Sequence, residues 1–218
     1  MKKQQSIILA ISALIAASAG IWMGQQNPDT QLPRIKPAAI QGAIYPAAKT
    51  INDFSLVNQH SEKITKDNFI DHWSLIFVGY THCPDICPTT MTVMNQVSEF
   101  MQQQKIQPPR IVFLSIDPLR DTSESLKSYV TYFNKDFIGL TGSVEEVTKL
   151  SKQLNAVFRK SPGASGEISN DDYLMDHSSA LMLINPQGNL QSILTAPHTP
   201  GNIIESIIKS QAYYKGTH

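Results

Sequence analysis

Apolar runs built from strand-forming residues alternate with helix-like patterns along the C-terminal four-fifths of this chain, and that alternation restricts its fold more than any other feature. SLIFVGY (residues 74–80), RIVFLSID (110–117) and ALMLIN (180–185) each read as a buried strand, with FIGLTG (137–142) a shorter fourth. Helical candidates lie between and after them. Residues 89–104 follow the first strand. Residues 121–133 open on the cap signals Asp121 and Thr122. Residues 143–154 place Ser143 three positions before Glu146, the spacing of a capping box. The tail, 200–214, carries Ile203, Ile204, Ile207 and Ile208 as one apolar face. Strands alternating with helices predict an α/β fold, a central mixed sheet with flanking helices and crossover connections. Pro186 and Gly188 between two apolar runs predict a hairpin that ends the sheet. Residues 161–172 read as a polar Gly/Ser-rich loop leading into YLMDHSS (173–179).

The N-terminus belongs to a different physical regime. Lys2 and Lys3 precede an uncharged apolar stretch at 6–24, close to the ~17–25 residues that span a bilayer. Positive charge on the short leading side keeps that end cytoplasmic and places the rest of the chain outside. Ala17-Ser18-Ala19 also resembles a signal-peptidase site, but the apolar run continues through Ile21, Trp22 and Met23, which favours an uncleaved anchor. Both readings predict export. The Lys-led start is unlike an Arg- and Ser-rich presequence, so the expected setting is a bacterial inner membrane with the folded domain in the periplasm. The expected organisation is 1–24 anchor, 25–43 a Pro/Gln/Asn/Ala-rich tether, and 44–214 one folded domain. With 41% hydrophobic residues the domain can build a core, and a formal net charge of zero gives no sign of a nucleic-acid partner.

The two cysteines of the chain, Cys83 and Cys87, fall within GYTHCPDICPTT (79–90), where the first strand gives way to a helix. Three readings compete. A disulfide closing so short a loop stabilises by only about 2 kcal/mol, against roughly 4.7 for a hundred-residue loop, so a pure staple gains little. A redox pair fits the position, because helix N-terminal N–H groups lower a thiol pKa. Thioredoxin-like proteins place their dithiol there. A metal site fits too: thiolates one helical turn apart can share an ion, and soft sulfur suits copper or zinc.

A metal site needs a third ligand. Of the six histidines, His60, His72, His198 and His218 lie in polar or terminal contexts, and His82 adjoins Cys83 too closely for easy joint chelation. His177 stands just before the strand 180–185, which in a thioredoxin-like sheet neighbours the strand ending at Tyr80. Asp176 beside it is a candidate to orient its ring. No proline precedes that strand, where a thiol oxidoreductase of this fold carries a cis-proline.

Together, GYTHCPDICPTT, SIDPLRDT (115–122) and DHSSALMLINPQG (176–188) resemble the Sco/SenC family: membrane-anchored, thioredoxin-like proteins that help assemble the copper centres of cytochrome c oxidase. The resemblance covers about residues 51–208. It implies that Cys83, Cys87 and His177 bind copper, and that the chain is a metallochaperone whose partner is the copper-site subunit of the oxidase. A second copper chaperone or a thioredoxin-like reductase would be a further partner. The alternative is a thiol–disulfide oxidoreductase, with Cys83 and Cys87 as its redox-active pair, that reduces the target's cysteines. A Cys, Cys, His zinc site and a peroxidase are poorer fits, for want of an acid/base partner and of a Thr/Arg pattern at the cysteine. Asp85, Asp117 and Arg120 also fall on family motif positions. Asp117 and Arg120 read best as a turn and an ion pair, while Asp85 is a candidate to tune the site.

Overall fold

The computed structural model describes residues 40–169 and 172–217. The expected anchor (1–24), most of the expected tether and His218 lie outside the described residues. Among the described residues, no helix is long and apolar enough to cross a membrane.

Among the described residues, ten strands and four α-helices follow one another as β1 (Gly42–Lys49), β2 (Leu56–Asn58), β3 (Lys63–Ile64), β4 (Ser74–Gly79), α1 (Ile86–Gln103), β5 (Arg110–Ser115), α2 (Ser123–Phe133), β6 (Ile138–Thr141), α3 (Val144–Gln153), β7 (Phe158–Pro162), β8 (Tyr173–His177), β9 (Leu181–Ile184), β10 (Leu190–Leu194) and α4 (Pro200–Thr217). The main sheet runs β1-β10-β9-β4-β5-β6-β2-β3. In the centre β4, β5 and β6 run parallel to one another, and the remaining pairings are antiparallel. All six residues of β4 are buried, which explains its unbroken apolar reading.

Alternation along the strands sorts side chains to two layers. Phe77 packs on Phe113, which meets Tyr129 of α2, so this face is covered by α1 and α2. Ile76 and Ile184 share a small cavity with Leu150 of α3 on the other face. α4 packs against α1 and β10. There Ser192 and Ser210 join hydroxyls at 2.7 Å. The buried face of α4 is therefore Ile203, Ser206, Ile207, Ser210 and Tyr213. Ile208, expected on that face, is exposed, and Ile204 is half-buried.

Several expectations change. Residues 158–162 and 173–177 pair as a separate two-stranded antiparallel sheet, so the segment read as a loop is the connection of a hairpin whose first strand already includes Ser161 and Pro162. The β9–β10 hairpin exists, yet it does not end the sheet, because β1 pairs beyond β10. The capping box at α3 is half formed. Ser143 accepts from the Glu146 amide at 3.2 Å, but the Glu146 carboxylate accepts from the Ser55 amide at 2.7 Å instead of turning back.

Candidate metal centre

β4 delivers the chain to the cysteine loop at Tyr80, and α1 begins at Ile86, so Cys83 precedes the helix and Cys87 lies in its first turn. This start is earlier than the expected residue 89, and it turns the Cys87 side chain down onto the sheet. The Cys83 amide closes a turn on the Tyr80 carbonyl at 3.3 Å. Gly79 makes the approach of Cys87 possible, since a Cβ there would stand 2.9 Å from Cys87 Sγ and 2.8 Å from the Phe113 ring. An isolated glycine closing an apolar strand was the one sequence sign of this close approach.

His177 arrives from the far side as the last residue of β8. Its Nδ1 lies 3.0 Å from the Ser178 carbonyl, which can only accept, so Nδ1 carries the proton and Nε2 presents its lone pair. Nε2 stands 3.6 Å from Cys87 Sγ. Phe77 and Tyr80 meet the imidazole edge-on at ring separations of 6.1 and 6.2 Å. The expected role of Asp176 is not seen. Neighbouring residues on a strand point to opposite faces, and Asp176 turns away to Arg159 (3.1 Å) and Ser161 (3.0 Å). The orienting partner is the Ser178 carbonyl, which side-chain reasoning could not find.

The three donor atoms lie within 4.8 Å of one another. Bonds of about 2.0–2.3 Å from one first-row ion put tetrahedral S and N donors about 3.5 Å apart, which the Cys87–His177 separation matches. A groove of about 310 Å³ between the cysteine loop and β8 opens onto Cys83 and His177, with Ile86 and Leu174 exposed on its two lips and Cys87 buried behind it. Cys87 is fully buried, and Cys83 is the thiol nearer solvent.

The two thiols are electrostatically unequal. Cys83 is pulled down to about 4, first by the hydrogen bond from Cys87 and then by the Asp85 and Cys87 backbone N–H groups, against the opposing effect of burial. The Cys87 amide donates to Cys83 Sγ at 3.4 Å. The Cys87 thiol is pushed far above the ordinary range by its hydrogen bond to Cys83 and by burial. Both shifts favour charge on Cys83 and the proton on Cys87.

Other sequence candidates fall outside the donor trio. Asp85 is exposed at the start of α1 and makes no side-chain cap. His82 is half exposed, with Nδ1 3.1 Å from Thr81 Oγ1. His60 is exposed, and His72 and His198 are half-buried elsewhere. Asp117 and Arg120 form the expected ion pair. Arg120 also donates to the Tyr173 carbonyl at 3.1 Å and lies over the Tyr173 ring, while the Tyr173 hydroxyl donates to Asp117 at 2.7 Å. This network clamps β8, and so His177, onto the β5–α2 loop. Asp121, expected only as a helix cap, is instead a fully buried carboxylate behind the cysteine loop, and Thr122 is the cap.

The SCO1/SenC family profile matches residues 43–212. A putative copper-binding protein of Stutzerimonas stutzeri is 34% identical over 154 residues, 71% of this chain and 73% of that protein. The SCO2-like protein of Rickettsia felis is 33% identical over 210 residues, 94% of this chain and 98% of its own. Arabidopsis thaliana ScoI with copper bound matches at a TM-score of 0.67 and 29% identity, covering 75% of this chain and 98% of that one. Bradyrhizobium japonicum ScoI with copper bound gives 0.62 and 30%, covering 74% and 98%. The thioredoxin-like α/β expectation thus holds for the described fold, and the chain belongs to the SCO1/SenC family.

Proposed function

We propose that this protein is a copper metallochaperone: Cys83, Cys87 and His177 carry one copper ion, and the protein helps assemble the copper centre of cytochrome c oxidase. The observation that carries this reading is the convergence of two thiol sulfurs and an imidazole lone pair within 4.8 Å, beside an open groove lined by Cys83 and His177. Two soft sulfurs favour Cu(I), and the imidazole extends the site to Cu(II). Relatives solved with copper bound support the choice of ion. With three donors and an open side, the ion can be captured by an incoming ligand before it leaves Cys83. The partner is the oxidase subunit that receives copper. The apolar stretch at 6–24 anchors the chain in a bacterial inner membrane, residues 25–43 form the tether, and the domain from 44 to 214 works in the periplasm. The test is titration of the reduced full-length protein with copper. One equivalent should bind, with a sulfur-to-copper band in the Cu(II) form that is lost in His177→Ala, and an unchanged band in that variant would sink the assignment.

One observation favours a second reading. Cys83, the free thiol nearer solvent, accepts from the Cys87 amide at 3.4 Å at the start of α1, an arrangement that also suits a thiol–disulfide reductase acting on the target's cysteines. Turnover of a disulfide substrate by the metal-free protein, undiminished in His177→Ala, would favour that activity over carriage.

A further inference from the structure

Asp121 has no exposed surface and takes no part in the donor trio, yet the cysteine loop is built on it. One carboxylate oxygen accepts from the Thr81 hydroxyl at 2.6 Å, and the other from the Thr81 amide at 2.9 Å and the Ser115 hydroxyl at 2.6 Å. Its own amide donates to the Asp117 carbonyl at 2.9 Å, and its carbonyl accepts from the Thr141 hydroxyl at 2.9 Å. Ser115 ends β5 and Thr141 ends β6, while Thr81 is the second residue beyond the end of β4. The side chain and backbone of Asp121 thus tie together the exits of the three parallel central strands.

We propose that Asp121 is a positioning residue for the metal centre, acting through Thr81. Gripping both the amide and the hydroxyl of Thr81 fixes that residue's backbone and rotamer together. Thr81 follows Tyr80, whose carbonyl receives the Cys83 amide, so the grip sets where Cys83 Sγ meets Cys87 and His177. For the loop, the carboxylate supplies position; its charge acts separately, adding to the upward push on the Cys87 thiol. In Asp121→Asn the amide oxygen can still accept from the Thr81 amide and Ser115, and the Thr81 hydroxyl can turn to accept from the new NH₂ group.

The inference rests on the copper reading, and the experiment separates the two. Copper affinity and the Cu(II) sulfur band are measured for full-length wild type, Thr81→Val, Thr81→Ser and Asp121→Asn, alongside hydrogen exchange of the amides of residues 81–87 in the metal-free proteins. Thr81→Val should lower affinity about 10- to 100-fold, the usual cost of losing a supporting contact behind a metal ligand. It should also shift the band and speed exchange across the loop, while Thr81→Ser and Asp121→Asn stay close to wild type. If Thr81→Val does not fold, Thr81→Ala replaces it. Wild-type affinity, band and exchange in Thr81→Val would overturn the proposal, as would a large loss in Asp121→Asn with none in Thr81→Val, which would make the charge the operative feature. A wild type that takes up no copper would sink the metallochaperone reading alone. The exchange comparison between Thr81→Val and Thr81→Ser would then decide the positioning role.

Discussion

Loading copper into this site should expel about one proton near neutral pH, not two. Cys83, held at about 4, is already a thiolate there, while Cys87 keeps its proton. His177 offers Nε2 without giving one up, because its ring proton sits on Nδ1 against the Ser178 carbonyl. Cu(I) must therefore displace only the Cys87 proton. By linkage the binding constant should climb about tenfold per pH unit between pH 7 and 8.5, or about 1.4 kcal/mol per unit. Isothermal calorimetry in several buffers of different protonation enthalpy, with Cu(I) supplied from a competing chelator, counts the protons directly. Cys83→Ser should still expel about one, since it removes the ligand that had none to lose, whereas Cys87→Ser should expel close to none. Two protons released by wild type would refute the reasoning, since Cys83 would then be an ordinary protonated thiol and the hydrogen bonds around it would not be holding a charge.

Further outcomes follow from the same structure. Gly79→Ala should cost about 1–3 kcal/mol by overpacking. It should also weaken copper binding, because the new Cβ occupies space 2.9 Å from Cys87 Sγ, and denaturant melts paired with copper titration check both effects. Tyr173→Phe leaves a buried Asp117 oxygen without its donor. It should destabilise by about 1–3 kcal/mol in urea unfolding. For the reduced, metal-free protein, the folded value of Cys83 lies below the ordinary thiol value of 9.0, so its contribution is fully present above about pH 9 and lost as pH falls through about 4. Unfolding midpoints should therefore rise between pH 4 and 8 more steeply in wild type than in Cys83→Ser.

The central strands and helices were legible because their periodicity reports burial directly. β4 and β5 read as unbroken apolar runs, and α2 announced itself through Thr122. The β7–β8 hairpin was not legible. FRKSP is exposed and charged, ends on proline, and pairs with a strand separated from it by a Gly/Ser-rich connection, so no alternation survives to mark it. That omission explains the error at Asp176. With no strand assigned to 173–177 nothing fixed the direction of Asp176, but on a strand it must point away from the His177 ring. The trio of donors was legible by residue type and by family resemblance. What supports it was not: Gly79 acts by lacking a side chain, the Ser178 contact is backbone, and Asp121 gathers partners from positions 81, 115 and 141 that meet only once the sheet is assembled.

The most direct test of the account is anaerobic copper titration of the reduced full-length protein, followed by optical and paramagnetic spectra of its Cu(II) form, for wild type, Cys83→Ser, Cys87→Ser and His177→Ala. One equivalent should bind tightly in wild type, with a sulfur-to-copper band lost or displaced in each of the three variants. Tight binding that survives intact in His177→Ala, or no tight binding by the reduced wild type at all, would contradict it.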